Sequence, residues 1–552
     1  MKKYSIGLDF GTLSVRALLV DIENGQSIAS SVFDYPHGVM EESLPNGKKL
    51  PYSFALQDPY DYLNGLIETI TDVMKKTNTK AEQVVGIGVD FTSSTIMPVK
   101  NDKTPLCHLV NYKYNPHAYV KLWKHHGGEE DARLIEKVIN ERNEEWINAY
   151  GGIVSSEWML PKVVETLRCA PKVYANADRF MEALDWIIWL LTDKETRSAC
   201  GAGYKMFYYN NQYPSKDFFK AIDERLENFV EEKLAAPILP IGSCAGYLTE
   251  EFAEKLGLMA GTPIATGIID AHSSLVGAGV YEPGEMMIIV GTSSCHMTLA
   301  DEEALVPGIG GIVKDGIIPG FYGYEGGQCC VGDHFDWVVK KCVPEQYHKE
   351  AKDLGISIHT LLCNKLEGYK AGQSGLLALD WFNGVRTPLM DFNLNGMILG
   401  MNLLTKPEEI YMSLIEATAF GTRLIIEQFE KAGVNIDSII LSGGIPNKNE
   451  MLVQVYSDVC NRKIMISDTD QASAQGAAFL GMAAASQEVT GYNGLVEIVS
   501  KFRKMKEKVY VPNSDNVEVY NKLYEEYKTL SVYFSKENNV MKRLNKLRQE
   551  NN

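Results

Sequence analysis

The chain has 552 residues (61.5 kDa), of which 45% are hydrophobic and 23% charged. That apolar share is ample for buried cores and excludes long disorder. Fifty-four Lys and Arg against 71 Asp and Glu give a formal net charge of −17, a surface that repels phosphate backbones and anionic lipid, so nucleic-acid and membrane-surface roles are set aside. An anionic substrate is not excluded, because a local site can oppose the global field.

The first 35 residues alternate like strands joined by tight turns: Tyr4–Asp9, Ser14–Val20 and Ile28–Tyr35. Phe10-Gly11-Thr12-Leu13 supplies the first turn and Asn24-Gly25, a strong hairpin signal, the second. A helix reads from Asp58-Pro59, with Leu63, Leu66, Ile67, Ile70, Val73 and Met74 on one apolar stripe and Asp58 as its N-cap. A buried-type strand, Val84–Val89, ends at Asp90. An insertion rich in Trp and Tyr occupies about 116–250; its Trp186 and Trp189, at i and i+3, read as core.

The same plan recurs. Glu285–Val290 reads as a strand, Gly291-Thr292-Ser293-Ser294 as a turn and Cys295–Leu299 as a returning strand. A helix follows over Pro407–Ala432, then the strand Ser438–Leu441 and the glycine turn Ser442-Gly443-Gly444. Two halves sharing the order hairpin, helix, strand and loop imply a duplicated α/β architecture. We place an N-terminal domain at 1–262, a C-terminal domain at 263–490 and a helical extension at 491–552, whose charged segments read as solvated.

The ten cysteines form no Cys-x-x-Cys and read as free thiols of a reducing compartment. Asp9 and Arg16 interrupt the apolar stretch after Lys2-Lys3, unlike a signal peptide, and Met286–Ala300 is too short and polar for a span. A cytoplasmic location is the expectation, and a homodimer the default for the assembly.

No Gly-x4-Gly-Lys-Ser/Thr is present, so this is not a P-loop protein. Asp9-Phe10-Gly11 lacks the other protein-kinase signatures, and that match is accidental. A Gly-Thr turn can instead offer N–H groups and a hydroxyl to phosphate, with Asp9 holding Mg²⁺ and Arg16 adding a cation; an ordinary hairpin is the alternative. Gly291-Thr292 provides a second such turn, and two of them facing across a cleft could clamp one polyphosphate. Gly443-Gly444 could lie against a nucleoside. Asp270 follows the apolar Ala265–Ile269 and is either a site carboxylate or a helix N-cap. Glu325, among glycines, and Lys205, in Gly201-Ala202-Gly203-Tyr204-Lys205, have open settings; His272 and His296 read as structural hydrogen-bonders.

Together Gly7-Leu8-Asp9-Phe10-Gly11-Thr12, Asp270, Gly291-Thr292 and Ser442-Gly443-Gly444-Ile445-Pro446-Asn447 resemble the landmarks of the FGGY carbohydrate kinases, from the first strand to about residue 510. Four further segments look most like the ribulokinases of that family: Val89–Thr92, Gly151–Trp158, Ala202–Lys205 and Asp380–Gly384. The resemblance implies two duplicated actin-like (ribonuclease H-like) ATPase domains with a cleft between them. It implies ATP-dependent phosphorylation of ribulose, most similar to the L-ribulose step of arabinose catabolism. Asp270 would be the general base and Ser93, Lys205 and Glu325 would bind sugar. Asp9 would hold Mg²⁺, Gly11, Thr12, Gly291 and Thr292 would contact phosphates, and Gly443, Gly444 and Asn447 would face adenosine. Leu13 stands where relatives often carry a polar residue, which removes a side-chain role there. A kinase for another ketopentose or pentitol (xylulose, D-ribulose, ribitol) is the neighbouring reading, and a non-enzymatic actin- or Hsp70-like nucleotide-binding protein the distant one. Lys205, Asp270 and Glu325 argue for the enzyme, since a filament needs no sugar-binding carboxylates.

Overall fold

Tyr4–Phe10 and Ser14–Asp21 pair antiparallel, Tyr4 opposite Asp21 and Phe10 opposite Val15. On its other side Tyr4–Phe10 runs parallel to Val84–Phe91, which sets Asp9 beside Asp90 and Phe10 beside Phe91. Val84–Phe91 is buried along its whole length, which is why it reads as a continuous apolar run rather than an alternating one. The seven-stranded sheet runs Cys244–Tyr247, Pro263–Ala265, Val84–Phe91, Tyr4–Phe10, Ser14–Asp21, Ser27–Asp34, with Ile268–Ile269 also paired to Val84–Phe91. The Asn24-Gly25 hairpin is looser than a two-residue turn: the strands part after Asp21 and rejoin at Ser27, with Gly25 donating its N–H to Asp21 O (2.9 Å).

The computed structural model describes residues 2–550. They divide into a first unit, through Tyr281 with Gly311–Gly323 and Gln471–Arg503, and a second, Glu282–Gly310, Tyr324–Asp470 and from Lys504 onward.

In the first unit, the helix Pro59–Thr77 starts where Asp58 accepts the Tyr60 N–H (3.0 Å) and stops at Asn78 in the left-handed region. Its buried stripe, Tyr62, Leu66, Ile70 and Val73, joins Ile6, Phe10, Val15 and Phe91 in one core. Another helix, Ala472–Ala484, lies so close to the sheet that side chains are excluded at the contact. A Cβ on Gly88 would stand 1.8 Å from Ala477 O, and one on Gly7 1.9 Å from Ala474 O. The insertion builds a separate core around Tyr150, Trp158, Phe207 and Phe218, next to a four-stranded sheet ordered Leu56–Gln57, Val120–Lys121, Ile96–Val99, Arg179–Glu182. Trp186 and Trp189 are core, as expected.

The second unit repeats the local plan. Gly284–Val290 is antiparallel to Ser294–Ala300 and parallel to Ile436–Ser442, which in turn is parallel to Lys463–Ile466. The long helix Pro407–Lys431 is mostly buried. The tail departs from the solvated helix expected of it. Tyr520, Tyr524, Tyr527 and Ser531 of the helix Ser514–Val532 are buried, a stripe at i, i+4, i+7 and i+11 that the charges between them mask in sequence. Tyr527 donates to the buried Asp380 (2.6 Å) and Tyr520 to Glu416 (3.2 Å). All ten cysteines are free. Among the described residues no helix is long and apolar enough to cross a membrane.

Candidate active site

Three strand ends of the first unit converge on carboxylates. Asp9 and Asp90 are neighbours across the parallel pair, and Ile268 pairs with Asp90, which delivers Asp270 one residue past the end of its strand. Asp90 is fully buried and neither of its oxygens makes a well-formed hydrogen bond, although the Ser273 hydroxyl is close enough to favour its ionised form. Burial, and then the charges of Asp9 and Asp270, push its carboxyl well above the usual range. Burial also raises Asp9, against the pull of Asp90 and of Arg16, whose Nη1 stands 4.0 Å from Asp9 Oδ2. Asp270 opens the helix Asp270–Ala278 without being its N-cap, which is Ile269; its Oδ1 accepts the Ala271 N–H (2.7 Å), fixing the side chain at the helix start. That helix is seated by close approach to Ala472–Ala484, where a Cβ on Gly277 would lie 1.9 Å from Ala472 O.

Lys205 ends the helix Ala199–Lys205 and is buried. This helix is tied to Asp270's helix through Cys200 Sγ and His272 Nδ1 (3.1 Å) and the Tyr204 ring over His272 (centroids 4.3 Å apart). His272 is thus structural, as is His296, held by Thr422 Oγ1 (3.1 Å). Ser93 lies in the loop after Val84–Phe91 and is half-buried. In the first turn Gly11 donates its N–H to Ser14 O (2.9 Å), Thr12 Oγ1 accepts from Trp123 Nε1 (3.2 Å), and Leu13 is exposed.

In the second unit, Gly291 and Thr292 line a cavity of about 1240 Å³, together with Asp333, Tyr411, Gly444, Lys448 and Asn449. The two Gly-Thr turns differ by one residue. Four residues separate the last paired positions Phe10 and Val15, and three separate Val290 and Ser294. Gly291 correspondingly donates to Ser293 O (2.9 Å). Gly443 adopts φ +107°, and a Cβ there would stand 2.4 Å from Val290 O, so only glycine lets this turn cross the neighbouring strand end. Gly443 and Asn447 do not line the cavity; Asn447 Nδ2 donates to Gly443 O (3.0 Å) and closes the turn. Glu325 lies in the strand Tyr322–Gln328, where its carbonyl accepts the Gly310 N–H (2.7 Å).

Residues 4–277 match the N-terminal domain, and 286–485 the C-terminal domain, of the FGGY family of carbohydrate kinases. The chain belongs to that family. It is an ATP-dependent sugar kinase with the family's two-domain, actin-like ATPase fold. Relatives named Ribulokinase include those of Bacillus licheniformis, 49% identical over 97% of this chain and 98% of that protein, and Geobacillus thermodenitrificans, 46% identical over 98% and 97%. Among solved structures, ligand-bound xylulose kinase from Lactobacillus acidophilus superposes with a TM-score of 0.79 at 19% identity, covering 97% of this chain and 99% of that one. Plasmodium falciparum glycerol kinase with ADP follows at 0.73 and 17%, covering 96% and 98%.

Sequence reasoning passed over several residues of this FGGY kinase that the geometry singles out. Asp90 ended a recognised segment but carried no role; its signal was a lone carboxylate closing an apolar strand, Val-Val-Gly-Ile-Gly-Val-Asp-Phe. Lys448 and Asn449 line the cavity just beyond Asn447; one sequence gives such loop residues no periodic signature.

Proposed function

We propose that this FGGY kinase is a ribulokinase, phosphorylating L-ribulose at its terminal hydroxyl to give ribulose 5-phosphate in pentose catabolism. The observation that carries the reading is near-full-length likeness, at 49% and 46% identity, to relatives of that name. Asp270 accepts the proton of the attacking hydroxyl. The new O–P bond forms on the γ-phosphorus as its bond to the β,γ-bridging oxygen breaks, and ADP leaves with that electron pair. Such transfers depend mainly on positioning and charge stabilisation. Ser93 and Lys205 hydrogen-bond sugar hydroxyls, and Glu325 is assigned to the sugar as well. Gly11, Thr12, Gly291 and Thr292 contact phosphates, while Gly443, Gly444 and Asn447 belong to the adenosine side.

The residues present fit Mg²⁺. Asp90 has two buried oxygens without a well-formed hydrogen bond, next to the partly exposed carboxylate of Asp9. Mg²⁺ commonly takes one or two carboxylates, with phosphate oxygens and waters completing the shell. Asp9 would hold the ion with Asp90 behind it, and the ion would supply charge neutralisation at the phosphates.

A coupled ADP-release assay over ketopentoses and pentitols tests the substrate. L-Ribulose is expected to give the highest kcat/KM. A strong preference for another sugar removes ribulose, and ATP turnover independent of sugar removes the kinase reading of this site.

A further inference from the structure

Two buried charges grip the two ends of one peptide bond beside Ser93. From Val84 to Val99 every residue is buried except Ser93. The next residue, Ser94, adopts φ +51°, a left-handed conformation that non-glycine residues seldom take. Its carbonyl accepts from Lys162 Nζ at 2.6 Å. The other end of the same amide, Thr95 N–H, donates to Glu182 Oε2 at 2.9 Å. Lys162 is 1% exposed and Glu182 3%. Lys162 comes from the helix Met159–Cys169 and Glu182 from the end of the strand Arg179–Glu182, so two separate elements converge on this one amide.

Neutral side chains could satisfy the same amide; Thr92 and Thr95 tie only the turn's own side chains together, hydroxyl to hydroxyl at 2.8 Å and Thr95 Oγ1 to Thr92 O at 3.0 Å. Burying two charges is costly, and apolar replacements of similar volume often serve stability as well or better. The arrangement does provide rigidity, because each charge-assisted bond restrains one end of the amide and the two together prevent the peptide from flipping. Burial pushes Lys162 down and Glu182 up, Asp185 adds to the rise of Glu182, and each partner's charge pulls the other back towards the ionised form. Lys162 also donates to Leu122 O (2.9 Å). The second oxygen of Glu182 has no hydrogen-bond partner, and the Lys205 ammonium is among the charges that act on this carboxylate. Glu182 therefore lies within electrostatic reach of both Ser93's loop and Lys205.

We propose that Lys162 and Glu182 are positioning residues that lock the Ser94–Thr95 amide and so hold Ser93 in place for the sugar, setting sugar affinity rather than nucleotide affinity. The inference rests on the assignment of Ser93 to the sugar made above. Its test compares steady-state constants of the full-length enzyme for ribulose and for ATP in Glu182→Ala, Glu182→Gln, Lys162→Met and the control Ser93→Leu.

Glu182→Ala and Lys162→Met are expected to raise the ribulose KM about tenfold or more, with the ATP KM within about twofold, the loss of one charge-assisted bond. Glu182→Gln keeps an oxygen for Thr95 N–H and should recover most of the affinity, leaving the KM raised about threefold. Being nearly isosteric, it also decides the matter if the truncations do not fold: an unchanged ribulose KM in Glu182→Gln overturns the proposal. Equal increases for ribulose and ATP overturn it too, since a merely structural role predicts no preference. If Ser93→Leu raises the ribulose KM while the clamp variants do not, the clamp is wrong and the Ser93 assignment stands. If Ser93→Leu leaves the ribulose KM unchanged, the Ser93 assignment fails and the inference fails with it.

Discussion

Asp9 and Asp90 are register partners on adjacent parallel strands, and their carboxyl groups act on each other directly. A buried pair of this kind is stable only with a shared proton or a cation. Asp90→Asn places an amide donor against Asp9, so the variant should melt no lower than the parent in a calorimetric scan. Asp9→Asn and Asp90→Asn should both raise the Mg²⁺ concentration that gives half-maximal rate. An unchanged requirement in both would take the pair out of metal binding.

Asp270→Asn retains an oxygen for the Ala271 N–H but cannot accept a proton. Loss of a general base typically costs about 10²–10⁴-fold, so kcat should fall by that much while ATP affinity, read by equilibrium titration, stays within about twofold. Turnover near the parent rate would remove Asp270 as the base.

Glu165 is the hub of the insertion's buried network. Its Oε2 accepts from Lys121 Nζ (2.6 Å) and meets His125 Nε2 (2.9 Å). Burial opposes its ionisation, but Lys121 and His125 outweigh burial and hold the carboxyl well below its usual range. Glu165→Ala leaves Lys121 buried without its counter-charge, a change that typically costs about 3–5 kcal/mol. Denaturant unfolding should show that loss. A shift under about 1 kcal/mol would mean that the surrounding carbonyl and hydroxyl acceptors suffice.

Glu416 gives a pH dependence with a definite sign. Burial raises its carboxyl to about 8, against the Tyr520 hydroxyl, which pulls it down. Because the folded value lies above the unfolded one, near 4.3, the folded state keeps a proton that the unfolded chain releases. Its contribution to stability is therefore full below about pH 4 and is lost as pH climbs to about 8. Glu416→Gln mimics the protonated acid, so melting temperatures measured from about pH 5 to 9 should decline less steeply than those of the parent. Identical slopes would show that Glu416 is ionised in the fold.

Local chemistry was enough for much of this protein. Asp58 capping its helix, the Gly11-Thr12 and Gly291-Thr292 turns, the doubled hairpin-helix-strand order and the helix opening at Pro407 all depend on neighbours a few residues apart. Their signals survive in the chain because the interactions that make them lie within a turn or a hairpin. What only the tertiary structure decided involves partners far apart in sequence. Asp90 meets Asp9 through the parallel register of two strands that lie about 80 residues apart in the chain, and the helix Ala472–Ala484 joins the sheet of the first unit because glycines at 7 and 88 leave it room. Lys162 and Glu182 meet on one amide only because a helix and a strand of the insertion pack around it. The buried tyrosine stripe of the tail was hidden by intervening charges, since a chain records which residues are apolar but not which surface will be there to cover them.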